Sequence, residues 1–244
     1  MDAGDGGREK PWWILVGGRR RLGRALAEAL AQDHNLILTS SAAWEPEAPW
    51  ITEFSKQTEV RCLRWRAEDT DLVATMMADL DALGAVGIVP PVAVLVSGTF
   101  PEQPLGRWTP EDLARTWQTN LTFPFLAAQA LGPRLGDGGC LQILLDIASE
   151  KPFLKRLPYS AAKAGLAALV PGLARLLAPR VRVVGHAMGT VLASPGDDPA
   201  WLAEHSLLQF TGTPQDLARA LRYAAASPYL TGTVLTLDGG TRLA

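Results

Sequence analysis

The chain has 244 residues, of which 48% are hydrophobic and 20% charged, and carries a formal net charge of −2. This length suits one large α/β domain with an ample core, and the near-neutral charge excludes a general nucleic-acid binder. The two cysteines, Cys62 and Cys140, sit in apolar strand-like runs and read as small buried thiols, with no sign of a disulfide or an oxidising compartment.

Residues 1–10 are polar and glycine-rich and contain no apolar signal region. They are expected to form a flexible arm ahead of a single domain over residues 11–244. No apolar stretch reads as long enough to span a bilayer, so a cytoplasmic protein with no membrane or nucleic-acid partner is expected.

Trp12–Val16 is the first strand candidate, and the turn Val16-Gly17-Gly18-Arg19-Arg20-Arg21-Leu22-Gly23 leads from it into a helix over Arg20–Gln32. A glycine turn between a strand and a helix is where backbone N–H groups and the helix dipole hold a pyrophosphate. Gly17 permits the tight turn and Gly23 allows close approach. The second strand, Asn35–Thr39, ends in Ser40 and Ser41 with no carboxylate to accept from a ribose 2′-hydroxyl. Opposite it, Arg19, Arg20 and Arg21 oppose the helix dipole and would attract a 2′-phosphate, which favours NADPH over NADH.

Val60–Trp65 is the third strand, and Asp69 is a candidate cap for a helix over Thr70–Leu83. Val92–Val96 follows, leading into Ser97-Gly98-Thr99-Phe100. Thr109-Pro110-Glu111-Asp112 is a helix start, with a capping threonine, an early proline and acids in the first turn. Cys140–Asp146 is the fifth strand. Tyr159 and Lys163 then lie one turn apart in a helix over residues 158–178. An ammonium beside a phenol is expected to lower its pKa, giving a proton donor for a carbonyl or imine that receives a hydride. Val181–Gly185 and Thr233–Leu237 complete about seven strands, and Thr213-Pro214-Gln215-Asp216 repeats the helix-start signal. Segment Gly189–Thr213 is long for a loop and reads as a lid over a site or as a surface excursion. Buried apolar strands alternating with helices imply a Rossmann-type doubly wound parallel sheet with helices on both faces.

Together these residues resemble the short-chain dehydrogenase/reductase family over essentially the whole chain, and its pteridine reductase and dihydromonapterin reductase branch most nearly. That branch has arginine at Arg21, where the wider family has glycine. It also has aspartate in place of the usual serine, with the spacing of Asp146, Pro152, Tyr159 and Lys163. Asn120-Leu121-Thr122-Phe123-Pro124-Phe125 is similar to the family's helix-four asparagine segment, and Tyr229–Gly240 to its closing strand. The chain departs from the pattern at Val16, at the shortened turn Ser97–Phe100 and at Met188-Gly189.

The resemblance implies that Gly17, Leu22, Gly23, Ser40, Ser41, Glu68, Ser97, Gly98, Tyr159, Lys163, Gly189 and Thr190 contact NADP(H), that Phe100 stacks on a pterin, and that the protein is a homotetramer. Tyr159 would donate the proton, Lys163 would tune it, Asn120 would orient a water, and Asp146 would serve an imine nitrogen. No metal is implied. The expected activity is hydride transfer to a C=N or C=O of a small substrate, most nearly a pteridine. The alternatives are another carbonyl such as a 3-oxoacyl thioester or small ketone, or a non-catalytic NADP-binding sensor.

Overall fold

The computed structural model describes residues 10–44 and 49–244, which leaves all of the expected N-terminal arm except Lys10 outside the described residues. The ammonium of Lys10 donates to the carbonyls of Ala31 (2.9 Å) and Gln57 (2.8 Å). One sheet contains seven strands: β1 (Trp12–Val16), β2 (Asn35–Ser40), β3 (Val60–Arg64), β4 (Val92–Leu95), β5 (Gly139–Asp146), β6 (Val181–Met188) and β7 (Thr233–Leu237). All pairings are parallel, in the order β3-β2-β1-β4-β5-β6-β7. The chain leaves β1 toward β2 and returns to β4 on its other side, so a crevice opens at the carboxyl ends between β1 and β4.

The helices are α1 (Arg21–Leu30), α2 (Pro49–Phe54), α3 (Leu72–Ala85), α4 (Pro110–Trp117), α5 (Phe123–Leu131), α6 (Leu157–Leu177), α7 (Pro199–Glu204) and α8 (Pro214–Ala226). The pleat of the central strands divides their side chains between two apolar layers. Ile14 and Val16 pack with residues of α3, α5 and α6, whereas Trp13 and Leu15 pack with α1 and α8. Burial on both faces explains why these strands read as unbroken apolar runs.

Several local expectations are corrected. Asp69 does not cap α3: the helix starts after Asp71, and Asp71 makes no side-chain capping bond. The helix that starts after Thr109 runs only to Trp117, where a π-turn at Gln118–Thr122 separates α4 from α5. Cys62 is exposed, because β3 is an edge strand with a largely uncovered face; Cys140 is buried as expected. Contrary to the sequence reading, Leu154–Leu177 is long and apolar enough, by length and composition, to cross a membrane. In the fold that apolar character serves packing, since Leu166, Val170 and Leu173 lie in the core. Helices α2 and α7 are short and carry no periodic pattern long enough to read.

Candidate active site

A cleft of about 1030 Å³ lies at the carboxyl ends of the strands, and every candidate site residue named from the sequence lines it. At one end is the turn between β1 and α1. Gly17 has φ +100°, and a Cβ there would come within 2.9 Å of the Ser97 backbone nitrogen. A Cβ on Gly23 would lie 2.0 Å from the Gly17 carbonyl oxygen, so only glycine fits. The turn is fastened to β2: the Gly17 N–H donates to Thr39 Oγ1 (3.1 Å), and the Gly18 N–H to the Thr39 carbonyl (3.0 Å). Helix α1 has no side-chain cap and no acid in its first turn. Its N-terminus therefore presents an uncompensated positive dipole end along the cleft.

The three arginines do not face one point, as the charge argument assumed. Arg19 Nη1 donates to the Ala43 carbonyl (2.6 Å), and its guanidinium lies 5.8 Å from the Trp44 ring centroid, just beyond Ser40 and Ser41. Arg20 is the residue at the start of α1. Arg21 adopts φ +45°, the left-handed region that a glycine would fill without strain. Its Nη2 reaches the other wall of the cleft, donating to the Ala193 carbonyl (3.1 Å) and Ser194 Oγ (3.4 Å). Glu68 reaches the cleft with a side chain 65% exposed.

At the other end, strand β5 and helix α6 bring together the pair read from spacing. Tyr159 Oη donates to Asp146 Oδ2 at 2.7 Å, while Asp146 Oδ1 accepts from the Ala148 N–H at 2.8 Å. The carboxylate thus caps its own turn and faces the cleft at once. Lys163 is buried in the cleft wall: its Nζ donates to the Leu144 carbonyl (2.9 Å) and stands 5.8 Å from the Tyr159 ring centroid. Burial lowers the Lys163 pKa to about 8. The Tyr159 phenol is raised well above its ordinary value, first by burial and then by the charge and hydrogen bond of Asp146. This reverses the expectation of a phenol made acidic by its lysine, because the closer partner is an anion and water is excluded. Asp146 is itself raised by burial, against the lowering effect of the Ala148 N–H.

Asn120 is buried on the π-turn, and its carboxamide is committed to protein. Oδ1 accepts from the Thr99 N–H (3.1 Å), and Nδ2 donates to Thr99 Oγ1 (3.1 Å) and the Thr116 carbonyl (3.0 Å). The side chain therefore clamps the Ser97–Thr99 turn. A Cβ on Gly98 would come within 2.8 Å of Asn120 Oδ1, which fits this close packing. Ser97 Oγ is buried in the cleft wall without a protein partner. Phe100 packs edge-on to Tyr159, with ring centroids 4.8 Å apart.

The segment after β6 lines the cleft through Gly189, Thr190 and Leu192, and through Trp201 and His205 on and just after α7. Sequence reasoning missed Thr39, Leu144, Arg156 and His205. Leu144 acts through its main-chain carbonyl, which leaves no sequence mark, and Thr39 through both its hydroxyl and its carbonyl at the end of an apolar strand. Arg156 read as an ordinary basic residue ahead of a helix.

Comparison with known proteins returns a family model described as "Enoyl-(Acyl carrier protein) reductase", matched over residues 17–242. The chain is 29% identical to "Carbonyl reductase family member 4" of Danio rerio, across 94% of this chain and 97% of that protein. It is 26% identical to "Dihydromonapterin reductase" of Klebsiella pneumoniae, across 94% and 96%. Among solved structures it resembles a blue fluorescent protein from a metagenomic library in complex with NADPH. That likeness has a TM-score of 0.83 and 25% identity, and it covers 96% of this chain and 98% of the other.

Proposed function

The chain belongs to the short-chain dehydrogenase/reductase family, and from that premise we propose that it is an NADPH-dependent reductase of a C=N or C=O group in a small substrate, a pteridine foremost. The observation that carries this reading is the 2.7 Å hydrogen bond from Tyr159 to Asp146, beside Lys163 and in the same cleft as the glycine turn.

The residues fit a nicotinamide dinucleotide. Gly17 and Gly23 let the turn close tightly against Ser97 and on itself, the α1 N-terminus is uncompensated, and Ser97 Oγ lacks a protein partner. The Gly17–Gly23 turn, with Arg20 and Leu22, would hold the pyrophosphate. Arg19, Ser40 and Ser41 would hold the adenosine ribose and its 2′-phosphate, with Glu68 near the base. Ser97, Gly98, Tyr159, Lys163, Gly189 and Thr190 would hold the nicotinamide half. When bound, the cofactor supplies the hydride.

Tyr159 turns its hydroxyl from Asp146 to the substrate nitrogen or oxygen and gives up the proton that balances the hydride. Asp146, whose proton affinity is raised, takes up a proton from solvent in the cleft and passes it to the phenolate, so the two groups act as one coupled acid. Lys163, held by the Leu144 carbonyl, offers its remaining N–H groups to the cleft. Asn120 keeps the Ser97–Thr99 wall in place. An aspartate partner suits an imine nitrogen, which a lone hydroxyl donor serves less well, and the likeness to a dihydromonapterin reductase agrees with that choice. The likeness to a carbonyl reductase supports ketones or 3-oxoacyl thioesters as a second reading.

The test is NADPH oxidation with dihydrobiopterin, dihydrofolate, a quinone and an acetoacetyl thioester. Preference for the pterins supports the first reading and preference for the thioester the second. No oxidation with any of them leaves a nucleotide-binding sensor. Titration with both nucleotides decides cofactor choice, and tighter NADH binding would remove the 2′-phosphate argument. The exposed apolar residues Trp117, Phe125, Leu157 and Leu176 on α4–α6 support self-association of the chain, for which a homotetramer is the proposed form. A monomer in light scattering would refute the tetramer.

A further inference from the structure

The side chain of Arg156 is the most unusual charge in the substrate half of the cleft. Its guanidinium carbon lies 3.7 Å from the centroid of the Phe100 ring, in stacking contact. Nη1 donates to the Phe100 carbonyl oxygen, and Nη2 pairs with Glu102 at 2.6 Å. Only 19% of this side chain is exposed. The contact joins two loops that are already laced together. The Gln103 N–H donates to the Lys155 carbonyl (2.9 Å), and the Gln103 side chain donates to Asp112 Oδ2 (3.0 Å), so the Phe100–Gln103 segment has little freedom. Phe100 also meets Phe153 edge-on at 6.0 Å and Tyr159 at 4.8 Å. With all these neighbours, Phe100 still has 42% of its surface exposed, and it lines the cleft.

A planar cation on an aromatic ring does two things. It fixes the ring's orientation, and it draws π density toward itself, which leaves the rest of the ring better suited to an electron-rich partner. We propose that Arg156, anchored by Glu102, is a specificity-determining residue that braces Phe100 as a rigid shelf beside the Tyr159 hydroxyl, selecting substrates whose reducible bond belongs to a planar, electron-rich conjugated ring. The proposal rests on the reductase reading and narrows its substrate class. A small aliphatic ketone gains nothing from the shelf. A fused heterocycle with ring and amino nitrogens gains most.

Two measurements test this. The first is the ratio of kcat/KM for dihydrobiopterin to that for a small aliphatic 3-oxoester. The second is equilibrium binding of 2,4-diaminopteridine, followed by quenching of protein fluorescence, since Trp65 and Trp201 line the same cleft. Arg156→Met, which retains length but not charge, should lower the ratio about tenfold and weaken diaminopteridine binding comparably. Arg156→Lys should fall in the same direction because an ammonium lacks the stacking plane, and Glu102→Gln should give a smaller loss. An unchanged ratio in both Arg156 variants, or tighter diaminopteridine binding once the guanidinium is gone, would overturn the proposal; the second result would mean that Arg156 covers the ring instead of bracing it. If Arg156→Met fails to fold, Arg156→Lys and Glu102→Gln decide. If the wild type reduces neither substrate, the reductase reading fails, while the diaminopteridine titration still judges Arg156.

Discussion

Tyr159 meets two opposing influences. Burial and the Asp146 carboxylate hold its proton firmly, yet the same 2.7 Å bond places a second acid where it can replace that proton. Tyr159→Phe should therefore reduce turnover by about a hundredfold or more while NADPH binding changes little; single-turnover kinetics at wild-type speed would remove Tyr159 from proton transfer. Asp146→Asn should displace the basic limb of the kcat/KM profile, because that limb reports loss of the proton from the coupled acid. A basic limb identical to the wild type's would show that Asp146 is only a turn cap. The spacing of Tyr159 and Lys163 is plain in the sequence. The direction in which the phenol is shifted is not, because it depends on exclusion of water and on which charge lies nearer, and both are tertiary properties.

At the scale of elements, the sequence speaks most clearly where local chemistry closes on itself. Thr109 and Asp112 form a reciprocal capping box at α4, and Thr213 and Asp216 form another at α8. Thr109→Ala should cost roughly 1 kcal/mol in urea denaturation. Asp71→Ala at the start of α3, where no side-chain cap is made, should stay within about 0.5 kcal/mol of wild type. Equal losses in the two variants would contradict the capping account. Asp69 misled because an acid just before an apolar run looks like a cap wherever it falls. The π-turn at Gln118–Thr122 was illegible for a different reason. It shifts the hydrogen-bond register within an otherwise helical segment, and the same side chains suit either register.

For the whole molecule, the parallel sheet follows from a sequence of doubly buried apolar runs, and the edge strands β3 and β7 escape that logic. The sheet also contains an acid-sensitive point. His186 on β6 is fully buried; its Nε2 lies 2.7 Å from Gln142 Oε1, and its Nδ1 has no protein partner. Burial lowers its pKa from 6.5 to about 4. The unfolded chain thus takes up the proton first, so the stability from this site is complete above pH 6.5 and lost as pH falls toward 4. The loss is on the order of 3 kcal/mol. Urea midpoints measured across that range should decline in the wild type, with a shallower slope in His186→Leu. Parallel slopes would place the acid sensitivity elsewhere.

Arg21 keeps a left-handed backbone at a cost of about 1 kcal/mol, and its guanidinium spans from the first turn to Ala193 and Ser194. That side chain moors the two banks of the groove to each other. Anything that widens the channel at this point must first cast off the mooring.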